Sequence, residues 1–137
     1  MTTSSVLAVV IVLATSPIET WAAPFDGSAP MRCAIKTVMV CNDPSVCVRG
    51  TSATVNLPPV LVVDVGQRIV GGSATGRTVK MVSVGHDGGR LLLHGVENGI
   101  AGISWSMVVA EDSGNMSASV LGHGGGGYIM FGACSGA

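Results

Sequence analysis

Aromatic side chains are scarce in this sequence: two Phe, one Tyr and two Trp among 137 residues. Charge is scarce too, at 11 % of residues and nearly balanced in sign. Each shortage excludes something. A chain with so little charge and a mean hydropathy of +0.58 is not intrinsically disordered. Seven Lys+Arg against eight Asp+Glu build no positive field for a nucleic-acid backbone. The A/E/K/L/R content is too low for a long helix or a coiled coil. No apolar run reaches the roughly 20 residues that a membrane-spanning helix needs. What the chain does have is 20 Gly, without the G-X-Y period of collagen, and 4 Cys. Its length fits one domain rather than two.

The longest apolar run sits at the start. Residues 6–14 read VLAVVIVLA, the length of a signal-peptide h-region. Thr20, Trp21 and Ala22 follow, a small residue at −3 and Ala at −1. Cleavage is therefore expected after Ala22, although the leader's first residues, MTTSS, carry no basic side chain. Residues 1–22 are read as a signal peptide and 23–137 as a single all-β domain. Removal of the leader takes away Glu19 and Trp21. The remaining chain has seven acidic and seven basic residues and a single tryptophan, Trp105. No steering of a charged partner is expected from zero net charge.

All four cysteines, Cys33, Cys41, Cys47 and Cys134, lie beyond the leader. An even number behind a signal peptide points to an oxidising compartment, periplasmic or secreted, and to two disulfides. Of the three possible connectivities, Cys41–Cys47 with Cys33–Cys134 is expected. The first closes a short loop around the turn residues Asn42, Asp43, Pro44 and Ser45. The second ties the first strand to the last. A redox pair would favour Cys-x-x-Cys, and a zinc site would favour close Cys pairs with His partners. Neither spacing is present.

The rest reads as β-hairpins. Candidate strands fall at residues 32–40, 52–57, 60–64, 78–84, 90–95, 102–110, 115–121 and 128–134, separated by Gly, Asp, Asn and Pro. Period-two alternation supports them. Val79, Met81 and Ser83 share a face, as do Ile103, Trp105 and Met107, and Met116, Ala118 and Val120. Asp87-Gly88 and Ser113-Gly114-Asn115 supply residues that tolerate positive φ at hairpin tips. The connections are too short for parallel crossovers. The expected fold is therefore all-β, an antiparallel meander of about seven or eight strands closed as a small barrel or folded as a sandwich, stapled by disulfides.

This layout resembles small exported bacterial β-rich proteins with four cysteines. In them a signal peptide precedes a cysteine cluster (here Cys33, Cys41, Cys47), a meander with a D-G turn (Asp87-Gly88) and a last strand ending Gly-x-Cys (Gly132, Ala133, Cys134). The resemblance implies a fold and an export route but no activity. A fainter resemblance, carried by GSATGRTV at 72–79, is to small periplasmic inhibitors of lysozyme. It implies a compact barrel that inhibits through a Ser-containing loop.

Other motifs have plainer readings. GHGGGG at 122–127 matches G-x-G-x-x-G, but only ten residues follow it and they read as a strand, so it is a hairpin tip and no dinucleotide fingerprint. The His-Gly-Gly-Gly within it has no accompanying G-x-S-x-G. His86, His94 and His123 lack the spacing of a local chelate. Met39, Met81, Met107, Met116 and Met130 fall singly in strands, as core filling rather than a soft-metal site. No catalytic, metal or cofactor residues are assigned and no enzyme activity is expected. The expected function is an exported envelope binding or inhibitory module that recognises a protein or small ligand through its hairpin loops. Two alternatives stand beside it: a structural or stress-related envelope protein without a ligand, and a lysozyme-inhibitor-like protein. No nucleic-acid partner and no stable membrane insertion after leader removal are expected.

Overall fold

The computed structural model describes residues 23–43, 45–72, 78–97, 102–122 and 124–137. The expected leader, residues 1–22, lies outside them. Nine strands follow in order: β1 (Met31–Asp43), β2 (Val46–Gly50), β3 (Val60–Asp64), β4 (Ile69–Gly72), β5 (Thr78–Asp87), β6 (Arg90–Glu97), β7 (Ile103–Ala110), β8 (Asn115–Leu121) and β9 (Gly127–Gly136). A 3-10 turn, Ser52–Val55, separates β2 from β3. All pairings are antiparallel, and β9 pairs back onto β1. Eight strands thus close a barrel and β2 is appended to it.

β1 makes this closure possible because it is long enough to serve two neighbours on one edge. Residues Met31–Ala34 pair with β3, while Val38–Asp43 pair with β2. Its other edge runs along β9 from Met31↔Gly136 to Cys41↔Gly127. A bulge between Ile35 and Thr37 shifts the phase, so that Met31, Cys33, Val38 and Val40 all face inward. The Cys33–Cys134 disulfide crosses this closing seam, and Cys41–Cys47 crosses the β1–β2 hairpin. Both bridges are those the sequence leads one to expect. In the chain-entropy model a closed loop of about 100 residues contributes roughly 4–5 kcal/mol and a loop of six about 2.

The interior is apolar; the outer wall is mixed, with Val82, Leu92, Val96, Leu121, Ile129 and Phe131 exposed among serines and charged residues. Val63, Leu91, Met107, Val109, Met116 and Met130 are buried together. No polar or charged residue is buried among the described residues. The alternate positions of β7 and β8, Ser104, Ser106, Ser117 and Ser119, face outward. Hydrophobic burial of this kind, at about 1.5–3 kcal/mol per large side chain, drives closure. It explains how the four aromatics of residues 23–137 suffice: methionine and valine fill the space instead.

Four expectations need correction. Residues 52–57 do not form a strand, because Thr51 turns the chain: its N–H donates to Thr54 Oγ1 at 3.1 Å, its carbonyl accepts from Thr54 N, and Asn56 follows at φ 55°. Residues 69–72 do form one, β4, although the Gly pair in IVGG reads as a separator. The alternation predicted for residues 78–84 breaks at a bulge between Met81 and Ser83. That bulge brings Val84, rather than Ser83, toward the core while Val82 stays on the outer face, and Arg68 secures it by donating from Nη2 to Val82 O at 2.7 Å. Met39 lies outside the core, since the β1 bulge puts it on the outer phase with Thr37.

Candidate functional site

The barrel has two dissimilar ends, and strand direction assigns each connection to one of them. β3–β4, β5–β6 and β7–β8 turn at the first end. The described 51–59 connection lies at the second, where β3, β5, β7 and β9 begin and β4, β6 and β8 end.

The first end is stoppered. Phe25 packs against the core, and its N–H donates to Glu111 O at 3.0 Å. Gly114 sits beneath it at φ 71°, where a Cβ would come within 3.0 Å of the Phe25 ring and 2.6 Å of Cys134 O. Asp26 accepts from Ser28, chiefly its side chain and also its N–H, which holds its carboxyl below the usual value. Glu111 also accepts from His86, Oε1 to Nδ1 at 2.6 Å. At the β5–β6 turn, Gly88 and Gly89 both take positive φ, so the tight pair is shifted one residue from the expected Asp87-Gly88.

The second end holds a cavity of about 310 Å³. Its inner walls are Leu61, Val70, Met107, Ala118 and Met130. Trp105, Val120 and Tyr128 form a ring nearer the mouth, aligned by the register Trp105↔Val120↔Tyr128. Val55, Asn56, Leu57 and Pro58, which follow the 3-10 turn, also line it. The volume exists because of small residues. Ala118 stands between Met107 and Met130 on the neighbouring strands. Any longer side chain there would extend into the space.

Trp105 is the most specific feature of the cavity. Its indole lies over Gly95, its cross-strand partner on β6. A Cβ at Gly95 would fall 2.3 Å from the ring and 2.5 Å from Lys80 O, so only glycine permits this stacking. The side chain is 8 % exposed, and its Nε1 is the one buried side-chain polar atom among the described residues with no hydrogen-bond partner. Glu97, at the end of β6, and Tyr128 add a carboxylate and a phenol to the lining. Among the described residues no Lys or Arg lines the cavity.

The histidines expected at turns and strand ends are not brought together. His94 Nδ1 lies 3.1 Å from Ser106 Oγ on the outer wall, while His86 is held by Glu111 at the stoppered end. These are two separate pairs. The acid sits on one histidine and the hydroxyl on the other, so they do not make a Ser-His-acid relay. His123 lies outside the described residues, as do residues 73–77 of the loop that resembles an inhibitory one. Among the described residues no three His, Cys, Asp or Glu side chains gather where they would hold a metal. The 122–127 segment joins β8 to β9 with no helix after it, so the geometry of a dinucleotide fingerprint is absent.

Sequence reasoning missed the cavity. One signal was available: the lone tryptophan of residues 23–137 alternates inward on β7, opposite a strand whose inward row contains Ala118. Comparison with protein-family models, with curated proteins and with solved structures finds no match.

Proposed function

We propose that this is an exported, non-enzymatic binding protein that takes one small, mainly apolar molecule into its barrel. The carrying observation is the cavity of about 310 Å³ at the end opposite the Phe25 stopper. Eight strands give an interior that side chains fill or that holds one small ligand. Small-molecule sites typically measure about 300–1,000 Å³ and are mostly apolar with a few placed polar groups. The hairpin-loop recognition expected from sequence thus becomes recognition through the barrel mouth, shaped by residues 55–58.

Two disulfides support a periplasmic or secreted location, because such bonds persist in oxidising compartments. The outward serines, Lys80 and Arg90 alternate with exposed Leu92, Val96, Ile129 and Phe131, so the outer wall is mixed and not a continuous apolar band. A membrane barrel would present an apolar outer band instead. No helix of the described residues is long and apolar enough to cross a membrane.

The test is titration with N-phenyl-1-naphthylamine, an uncharged fluorophore. Saturable one-to-one binding that drops at least tenfold in Ala118→Met supports the reading. Absence of saturable binding, or equal binding by A118M, overturns it.

A further inference from the structure

We infer that Cys41–Cys47 is a thiol–disulfide exchange site, and that its reduction by a dithiol releases the segment that shapes the cavity mouth. The two bridges of this protein sit in opposite surroundings. Cys33 and Cys134 are buried in the core, 0 % and 7 % exposed. Cys47 is exposed, as are Val46, Val48 and Arg49 around it, and Cys41 is half-buried. A thiolate must reach a sulfur to break a disulfide, and exposed bridges are the labile, regulatory or catalytic ones. Cys41–Cys47 offers that access and Cys33–Cys134 does not.

Opening Cys41–Cys47 leaves the barrel intact. No residue of β2 is buried. The strand lies outside the closed barrel, and β1 is its sole strand neighbour among the described residues. With the bridge open, β1 still pairs with β9 from Met31 to Cys41, and Cys33–Cys134 still crosses that seam. The β1–β2 ladder alone would then hold β2, and a two-stranded hairpin without further packing is marginal in water.

β2 leads directly into the mouth. Gly50 ends the strand and packs against the 3-10 turn, where a Cβ would fall 3.0 Å from Thr54 Oγ1. Val55, Asn56, Leu57 and Pro58 follow and line the cavity. The far end of this segment is fixed to β1, since Ile35 N–H donates to Pro59 O at 2.9 Å. Releasing β2 removes the near anchor and leaves the far one. This consequence for binding rests on the reading of the cavity as a ligand site; the exchange chemistry does not.

The exchange moves two electrons. One thiolate of the dithiol attacks Cys47 Sγ, and the bridge breaks with its electron pair on Cys41 Sγ, which takes a proton. The second thiol of the dithiol loses its proton and attacks its own partner sulfur in the mixed disulfide. Cys47 leaves as a thiolate and is protonated. The dithiol is oxidised to a disulfide, and Cys41 and Cys47 are reduced to thiols.

The test incubates the full disulfide-bonded protein with dithiothreitol or, in a parallel arm, with reduced thioredoxin. Free thiols are then alkylated and mapped by mass spectrometry. Cys41 and Cys47 should be alkylated at least about tenfold faster than Cys33 and Cys134. Reduction in both arms assigns the exchange to protein dithiols as well as small ones; reduction by dithiothreitol alone assigns it to small ones. In the two-thiol form, hydrogen exchange should rise over residues 46–57 while β6 to β9 keep their protection. Affinity for N-phenyl-1-naphthylamine should fall about threefold or more and return on reoxidation. Cys41→Ser together with Cys47→Ser should abolish that response to reductant.

Equal rates at the two bridges, or faster reduction of Cys33–Cys134, overturns the exchange site. Selective reduction without a rise in hydrogen exchange over residues 51–57 overturns the release of the mouth. Probe affinity that is the same in the oxidised and two-thiol forms overturns its coupling to binding. Failure of both forms to bind the probe overturns the cavity reading instead, and mass mapping and hydrogen exchange still decide the exchange site and the release.

Discussion

The two ends of this barrel are built from the same strands and do opposite things. At the Phe25 end the turns are tight, an N-terminal segment lies across the opening, and Gly114 lets the phenyl ring sit against the wall. At the other end β1 sends β2 away from the barrel, and the chain returns to it through the 3-10 turn of residues 52–55. The space a plug would occupy is left as a cavity. Closing a barrel end costs residues and glycines placed for contact. Leaving one open costs the hydrophobic contacts the lining would otherwise make, and a domain that small can forgo them where disulfides hold its seam.

The largest blow to this arrangement is to the seam. Replacing Cys33 and Cys134 together by Ser should lower stability by roughly 4–5 kcal/mol, read as the urea midpoint, and should loosen the stoppered end first, where Cys134 N donates to Gly114 O. Gly114→Ala should cost about 1–3 kcal/mol from strain at positive φ, with added displacement of Phe25. Hydrogen exchange should show that loss first around residues 111–114 at the stoppered end. Replacing Cys41 and Cys47 by Ser should cost about 2 kcal/mol or less, and its effect belongs at the open end, on the β1–β2 hairpin and the probe affinity. A finding that either disulfide variant perturbs the two ends equally would erase the distinction drawn here.

A smaller effect follows from acid. The Asp26 carboxyl is held below its ordinary value of 3.8 by the Ser28 side chain and N–H, and Asp43 is held below the same value by the Ser45 side chain and N–H. A depressed carboxylate pKa contributes stability above the unfolded value and loses it as pH falls through the folded value. Both groups are fully exposed, so the loss below pH 3.8 should be slight. Asp26→Asn should flatten the acid limb of the melting curve at the stoppered end, and Asp43→Asn should do so at the hairpin. An acid limb unchanged in both variants would show that these caps do not report on either end.

Export itself is checked by the N-terminus and the thiols. Exported protein should begin at Ala23 and have a mass four hydrogens below the reduced chain, as two disulfides require. An intact Met1 or four free thiols on exported material would contradict that route.

The fold was largely legible because alternation is local. Met116, Ala118 and Val120 face inward in β8, as do Ile103, Trp105 and Met107 in β7, for the reason the pattern supplies: one side of the sheet must leave water. The pairing of the cysteines was legible because the first and last strands of a closed meander become neighbours. Elements governed by longer-range contacts were not legible. SATVNL alternates like a strand, but Thr51 and Thr54 turn it, and the cavity gives Val55 and Leu57 something to line. VCVRG is exposed on both faces and becomes β2 through its antiparallel ladder with β1, which the Cys41–Cys47 bridge crosses. IVGG becomes β4 because β3 and β5 flank it. The candidate site was least legible of all, since a cavity is a volume left by several strands and no single segment encodes it.

The most direct test of the asymmetry is a methyl spectrum recorded during titration with N-phenyl-1-naphthylamine. The methyl groups of Met107, Ala118 and Met130 should shift together and saturate at one equivalent, while those of Val65 and Leu91 at the stoppered end stay in place. Shifts centred on Val65 and Leu91, or shifts spread evenly over both groups, would contradict the assignment of the binding site to the open end.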